Sequence, residues 1–117
     1  MYPMPTLFSA ALSSGTTLVQ GLFIEAICTA MLVFTIIMLA KEKHRATFIA
    51  PIGIGLAMFI GELASVNFTG GALNPARWLG PAAITRTFMS SDWIYAAGPF
   101  IGAVLAVVFY KLFKVME

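Results

Sequence analysis

The sequence predicts an all-α membrane protein with three spanning helices and one half-length helix that enters the bilayer and turns back. Three observations lead there. Of 117 residues, 60% are hydrophobic and 10% charged, and the mean hydropathy is +0.92, too apolar for an ordinary soluble domain. Three apolar runs, residues 18–40, 47–66 and 93–113, each reach the roughly 20 residues that cross a bilayer core of about 30 Å. Between the last two, Asn74-Pro75 opens a run ending near Ile84; its length of about 15 Å at the helical rise is half a core.

The same composition excludes other classes. The net charge of +2 comes from a few clustered bases rather than a broad basic face, so no nucleic-acid partner is expected. The single cysteine, Cys28, forms no internal disulfide and reads as a small buried hydrophobe rather than a reactive thiol. One histidine outside the apolar runs, one cysteine and two separated glutamates offer neither a nucleophile with its base nor a metal cluster. An enzyme is therefore not expected, nor a metal or cofactor.

Residues 1–17 carry Pro3, Pro5 and Gly15 among serines and threonines and read as a loop or tail. They lack the basic start and unbroken apolar core of a signal peptide, so removal is not expected. The first span, residues 18–40, holds one charge, Glu25, and stops at Lys41-Glu42-Lys43-His44-Arg45. The bias of Lys and Arg toward the cytoplasm puts loop 41–46 inside and residues 1–17 outside. The second span, residues 47–66, runs outward with Glu62 as its one charge and Pro51 in its first turn, where proline is tolerated.

Residues 67–73 turn the chain back. Asn74 is a good helix N-cap, and Pro75 fits the first helical position because its missing N–H costs nothing there. A half-helix over 75–84 would aim free N–H groups and a positive dipole end at the bilayer centre. Irregular backbone persists at that depth only where it lines a cavity or is buried in protein, which marks a pore or binding-site element. A polar loop, residues 85–92, flanked by Arg86 and Asp92, follows on the outside. The last span, residues 93–113, places Trp93 and Tyr95 as outer interface anchors, with Lys111 and Lys114 at an inner, cytoplasmic end. Gly53, Gly61, Gly98 and Gly102 mark helix contacts, the last two at small-x-x-x-small spacing, and Pro99 predicts a kink.

Thr69-Gly70-Gly71-Ala72-Leu73-Asn74-Pro75-Ala76-Arg77, continued by Gly80-Pro81-Ala82, resembles the second Asn-Pro-Ala signature of the major intrinsic proteins, the aquaporins and aquaglyceroporins. The resemblance extends from about Gly21 to Lys114. It includes Gly21-Leu22-Phe23-Ile24-Glu25, Trp93-Ile94-Tyr95 and Gly98-Pro99, and the loop Glu42-Lys43-His44-Arg45-Ala46-Thr47 is similar to fungal members. It implies an aquaporin-like half-repeat over residues 18–117, the C-terminal one of two inverted repeats. Residues 1–17 would match the end of a third helix and the loop into a fourth. Such a protein is a multi-pass channel of the plasma or an internal membrane, a homotetramer that passes water or a small neutral solute such as glycerol. The chain's length leaves a second expectation beside this one: a truncated, non-conducting partner or fragment that modifies full-length channels.

The resemblance also assigns roles. Asn74, with Pro75 and Ala76, would present its amide to solute and cap the half-helix, facing a second Asn-Pro-Ala elsewhere so that two positive helix ends meet and repel cations. Arg77 would form the selectivity constriction, with the Gly71 carbonyl in the same ring; a structural arginine snorkelling outward is the plainer alternative. Glu62 departs from the pattern, because water-selective members commonly carry histidine there and glycerol-conducting members glycine. It either lines the outer vestibule and alters selectivity or is turned into a helix contact. Trp78 also departs and reads as packing, while Ala82, Tyr95 and Ala96 give a mixed signal on substrate. Glu25 would accept hydrogen bonds from N–H groups of the re-entrant loop, answering the need of unwound backbone for partners. His44 reads as a solvated loop residue, and Asn67-Phe68-Thr69 matches a glycosylation sequon too close to the membrane to serve.

Overall fold

Most side chains buried in this molecule are small or polar, with Leu73, Ile94 and Tyr95 as the large exceptions, while many large apolar side chains face out. The computed structural model describes residues 9–42 and 45–117, and is helical throughout its regular elements. Helix α1 (Leu18–Ile36) continues into a π-helical turn (Ile37–Lys41). A 3-10 turn (Arg45–Ile49) leads into α2 (Ala50–Thr69), followed by α3 (Pro75–Thr85) and α4 (Ile94–Met116). Among the described residues, three stretches are long and apolar enough to cross a membrane: Leu18–Lys41, Thr47–Thr69 and Ile94–Met116, of 24, 23 and 23 residues. At the helical rise each spans about 35 Å, against about 30 Å of hydrocarbon.

Each boundary has a local cause. α1 starts at a capping box in which the Gln20 N–H donates to Thr17 Oγ1 at 3.2 Å and the Thr17 N–H donates to Gln20 Oε1 at 3.0 Å. Its last turn widens so that the Glu42 N–H reaches the Ile37 carbonyl at 3.1 Å. α2 carries Pro51 in its first turn and stops at Gly70, whose φ of 79° places it in the left-handed region that glycine enters freely. That stop corrects the sequence reading, which turned the chain at residue 67. Asn67, Phe68 and Thr69 stay helical because Gly70 is the first residue able to reverse the backbone without steric cost. α4 runs as one element through Pro99 and ends three residues later than expected.

The helices approach through their smallest residues. A Cβ placed on Gly98 would lie 2.7 Å from Glu25 Cβ, and one on Gly102 would collide with the Ala26 carbonyl oxygen. α4 therefore rests directly on the α1 backbone, the close approach that small-x-x-x-small spacing permits. Gly61 on α2 plays the same part, 3.7 Å from Met31 and 3.8 Å from Cys28 when measured from its notional Cβ. Val19, Phe23 and Ile27 on α1, Leu56, Phe59 and Leu63 on α2, and Phe100, Val104 and Val108 on α4 are exposed. Such faces suit a lipid environment, where packing between helices rests on close contact rather than on the expulsion of water.

Two expectations fail at the α3–α4 end. Tyr95, expected as an interface anchor, is fully buried, whereas Trp93 beside it is exposed. The Tyr95 hydroxyl finds a partner inside, the Thr69 carbonyl at 2.7 Å, and a satisfied tyrosine loses the reason to seek the interface. Asp92, expected on a solvated loop, is 6% exposed and accepts from the Met89 N–H at 2.7 Å, closing the turn into α4. The N-terminal segment also packs: the Ser13 N–H donates to the Phe68 carbonyl at 2.9 Å, and Ala10 lies against Gly70. Residues 1–8, with Pro3 and Pro5, and Lys43 and His44 lie outside the described residues.

Candidate functional site: the unwound loop and the half-helix

Five residues, Gly70 to Asn74, join α2 to α3, and three of them take positive φ: Gly70 79°, Gly71 63° and Leu73 54°. The Gly70 N–H still closes α2 on the Val66 carbonyl at 3.1 Å, but Gly71, Ala72 and Leu73 are buried with no helical hydrogen bonds of their own, so their partners must come from elsewhere. Glu25 on α1, fully buried, supplies most of them. Its Oε1 accepts from the Thr69 hydroxyl at 2.6 Å and the Ala72 N–H at 3.1 Å; its Oε2 accepts from the Leu73 N–H at 2.7 Å. Three donors converge on one carboxylate, an arrangement of short, charge-assisted bonds. The Gly71 N–H donates to Thr69 Oγ1 at 3.2 Å, and the Leu73 carbonyl accepts from the Thr29 hydroxyl at 3.3 Å. Leu73 needs this support, because a left-handed residue with a side chain costs about 1–2 kcal/mol.

The loop delivers Asn74 to the start of α3. Asn74 is extended (φ −154°, ψ 125°), and its Oδ1 accepts from the Ala76 N–H at 2.9 Å. With the oxygen turned inward to cap the helix, the amide's two N–H donors have no partner among the described residues. Asn74, Pro75, Ala76 and Arg77 are all exposed, so the electropositive first turn of α3 forms an uncovered surface. α3 has 11 residues and extends about 16 Å, half a bilayer core.

Three of the sequence-predicted residues meet at one point. Arg77 forms an ion pair with Glu62 of α2, the two side chains 46% and 22% exposed. Glu62 in turn lies over Gly71, where a Cβ would sit 2.6 Å from Glu62 Oε2. Gly71 is thus needed twice, for its left-handed backbone and for the room it leaves Glu62. Trp78, next to Arg77, does not join this cluster. Its ring stacks on Tyr95 with centroids 6.1 Å apart and planes 18° from parallel, and it meets Phe88 edge-on at 6.2 Å. Glu25 stands behind the loop rather than in the cluster.

Sequence reasoning missed Thr29, Thr69 and Tyr95 as parts of the site. A signal for the first two was present: Glu25 and Thr29 lie one turn apart on α1, and Gly61, Ser65 and Thr69 repeat every fourth residue on α2. Small polar residues at that period in an apolar helix mark the face that meets polar backbone. Thr69 is also the hydroxyl residue of the apparent sequon and is fully buried, while Asn67 is exposed.

The opposite end of α1 holds a second polar group of a different kind. Glu42 accepts from the Tyr110 hydroxyl and pairs with Lys114 Nζ at 3.0 Å, and Lys41 Nζ lies 5.0 Å from the centre of the Tyr110 ring. The Tyr110 hydrogen bond, followed by the Lys114 ammonium, holds the Glu42 carboxyl below its ordinary value of 4.5. Among the described residues, no group of three His, Cys, Asp or Glu side chains is placed to hold a metal ion.

Comparison with known proteins agrees with this geometry. A family profile described as major intrinsic protein matches residues 2–110. The chain is 56% identical over 117 residues to "Aquaporin-7" of Botryotinia fuckeliana (strain B05.10), covering 100% of this chain and 26% of that protein. It is 59% identical over 118 residues to "Probable aquaporin-5" of Gibberella zeae, covering 99% of this chain and 22% of that protein. To "Aquaporin-1" of Gibberella zeae it is 48% identical over 117 residues, 100% of this chain and 36% of the relative. The chain therefore spans between a fifth and two fifths of the length of these relatives. With the match covering the first two spans, the half-helix and most of the third span, this chain belongs to the major intrinsic protein family.

Proposed function

We propose that this chain forms one half of a passive membrane channel that conducts water or a small neutral solute such as glycerol in single file. The observation that supports it most is the exposed first turn of α3, where the Asn74 amide and the Arg77 guanidinium share one uncovered surface while Glu25 of α1 holds the Ala72 and Leu73 N–H groups behind them. A buried polar loop of this cost has a use if the exposed donors it positions line a wet path. In that reading a second inverted repeat supplies the opposing Asn-Pro-Ala and closes the pore. The two helix ends then place positive partial charge where hydration is poorest, which turns back cations and protons. The assembly is a homotetramer, with loop 41–46 and the C-terminus on the cytoplasmic side by the bias of Lys and Arg.

Within this reading Glu62 sets selectivity. Its ion pair with Arg77 offsets the arginine's charge and adds an acceptor to a ring otherwise rich in donors. The test is osmotic flux by stopped-flow light scattering in proteoliposomes carrying the protein in its complete reading frame. Glu62→His is expected to change the ratio of glycerol to water permeability several-fold. Equal permeabilities in parent and variant would remove Glu62 from the path.

A further inference from the structure

Of the three loop carbonyls just ahead of Asn74, those of Gly71 and Ala72 make no hydrogen bond to a described residue, whereas that of Leu73 is taken by the Thr29 hydroxyl at 3.3 Å. Leu73 is thereby gripped at both ends of its backbone, because its N–H is held by Glu25 Oε2 at 2.7 Å. The grip acts on a left-handed residue, φ 54°, which would relax toward ordinary backbone angles if released. Both jaws come from one rigid element: Glu25 and Thr29 sit one turn apart on α1 and face the same way. Thr29 is 3% exposed and has no freedom to leave, since α4 closes over it; a Cβ on Gly102 would stand 2.9 Å from Thr29 Cβ.

The peptide plane that Thr29 holds is the one joining Leu73 to Asn74. Its rotation changes ψ of Leu73 and φ of Asn74 together, and so swings the Asn74 side chain relative to α3. We propose that Thr29 is a positioning residue for conduction: by fixing this peptide plane it aims the Asn74 amide outward and withdraws the Leu73 carbonyl from the path. Glu25 alone does not achieve this, because an N–H held at one side of Leu73 leaves the following peptide free to turn. The inference rests on the conduction reading above, and its test is chosen to separate the two.

Parent, Thr29→Val and Thr29→Ser proteins in the complete reading frame are reconstituted into vesicles at matched channel number. Water flux is measured by stopped-flow, and amide hydrogen exchange is followed in the same samples over residues 70–77. Valine keeps the shape of threonine and lacks the donor, so flux per channel is expected to fall several-fold and exchange at the Leu73 amide to accelerate. Serine restores the hydroxyl and returns both to near the parent. Thr29→Ala replaces valine should the second methyl strain the α1–α4 contact. Parent-like flux and exchange in the valine or alanine variant overturn the proposal, as does faster exchange with unchanged flux. A parent that passes no water overturns the conduction reading and this role with it, while exchange alone still reports whether Thr29 grips Leu73.

Discussion

Around the loop ahead of Asn74, a fully buried carboxylate receives a hydroxyl and two backbone N–H groups, and every donor comes from the segment it supports. At the opposite end of α1, Glu42 is 28% exposed and meets Tyr110 and Lys114, 46% exposed, at the protein's edge. Both ends tie α1 to another part of the chain through a glutamate, but their surroundings differ. In the buried cluster an unmet partner has no water to turn to, so each bond is costly to lose. At the edge, water and salt stand ready to replace what a substitution removes. The lesson is that polar residues of equal charge and similar partners differ in consequence according to what could substitute for those partners.

Glu25→Gln gives the largest expected effect. The amide retains the length of the carboxylate but offers one acceptor where three donors converge, and its own NH2 group confronts one of them. A loss of about 3 kcal/mol follows from the value of hydrogen bonds to a charged group and the cost of a buried unmet donor. Denaturation in mixed micelles checks it; a variant as stable as the parent would break the contrast between the two ends.

Tyr95→Phe comes next. It removes the hydrogen bond to the Thr69 carbonyl and leaves the ring stacked on Trp78, so the expected loss is about 1 kcal/mol in the same assay. A loss as large as that of Glu25→Gln would mean that the hydroxyl carries more of the loop than its one bond implies.

The smallest effect is expected at the edge. Because its partners lower the Glu42 pKa, the stabilisation they give is fully present above the ordinary carboxylate pKa and is lost as pH falls through the lowered value. The thermal midpoints of parent and Glu42→Gln should therefore differ slightly at pH 7 and converge in acid or at high salt. A difference that persists in acid would place the origin of the contact in packing, not charge.

The residues that announced the architecture did so through local chemistry. Asn74-Pro75 fixed the start of α3 because a cap and a first-turn proline act within one turn of each other. Gly98 and Gly102 marked the α1–α4 contact because their spacing alone defines a face. Tyr95 and Asp92 were misplaced because their partners, the Thr69 carbonyl and the Met89 N–H, become available only when the chain folds back. A tyrosine near the end of an apolar run reads as an interface residue until a buried carbonyl is found within reach. The Arg77–Glu62 ion pair and the crowding of Glu62 onto Gly71 both depend on the loop's left-handed turn, which brings α3 back against α2. Thr29 gave the faintest sign, because threonine in an apolar helix commonly bonds to its own backbone.

In the conduction proposed for this chain, α1 through Glu25 holds an unwound loop so that the first turn of α3 faces a water path. Water flux per channel in proteoliposomes, compared among the parent in its complete reading frame, Glu25→Gln and empty vesicles, tests it most directly. The account predicts shrinkage several-fold faster than empty vesicles for the parent and a return toward the empty-vesicle rate for Glu25→Gln. A parent no faster than empty vesicles, or a correctly inserted Glu25→Gln protein that conducts like the parent, would contradict it.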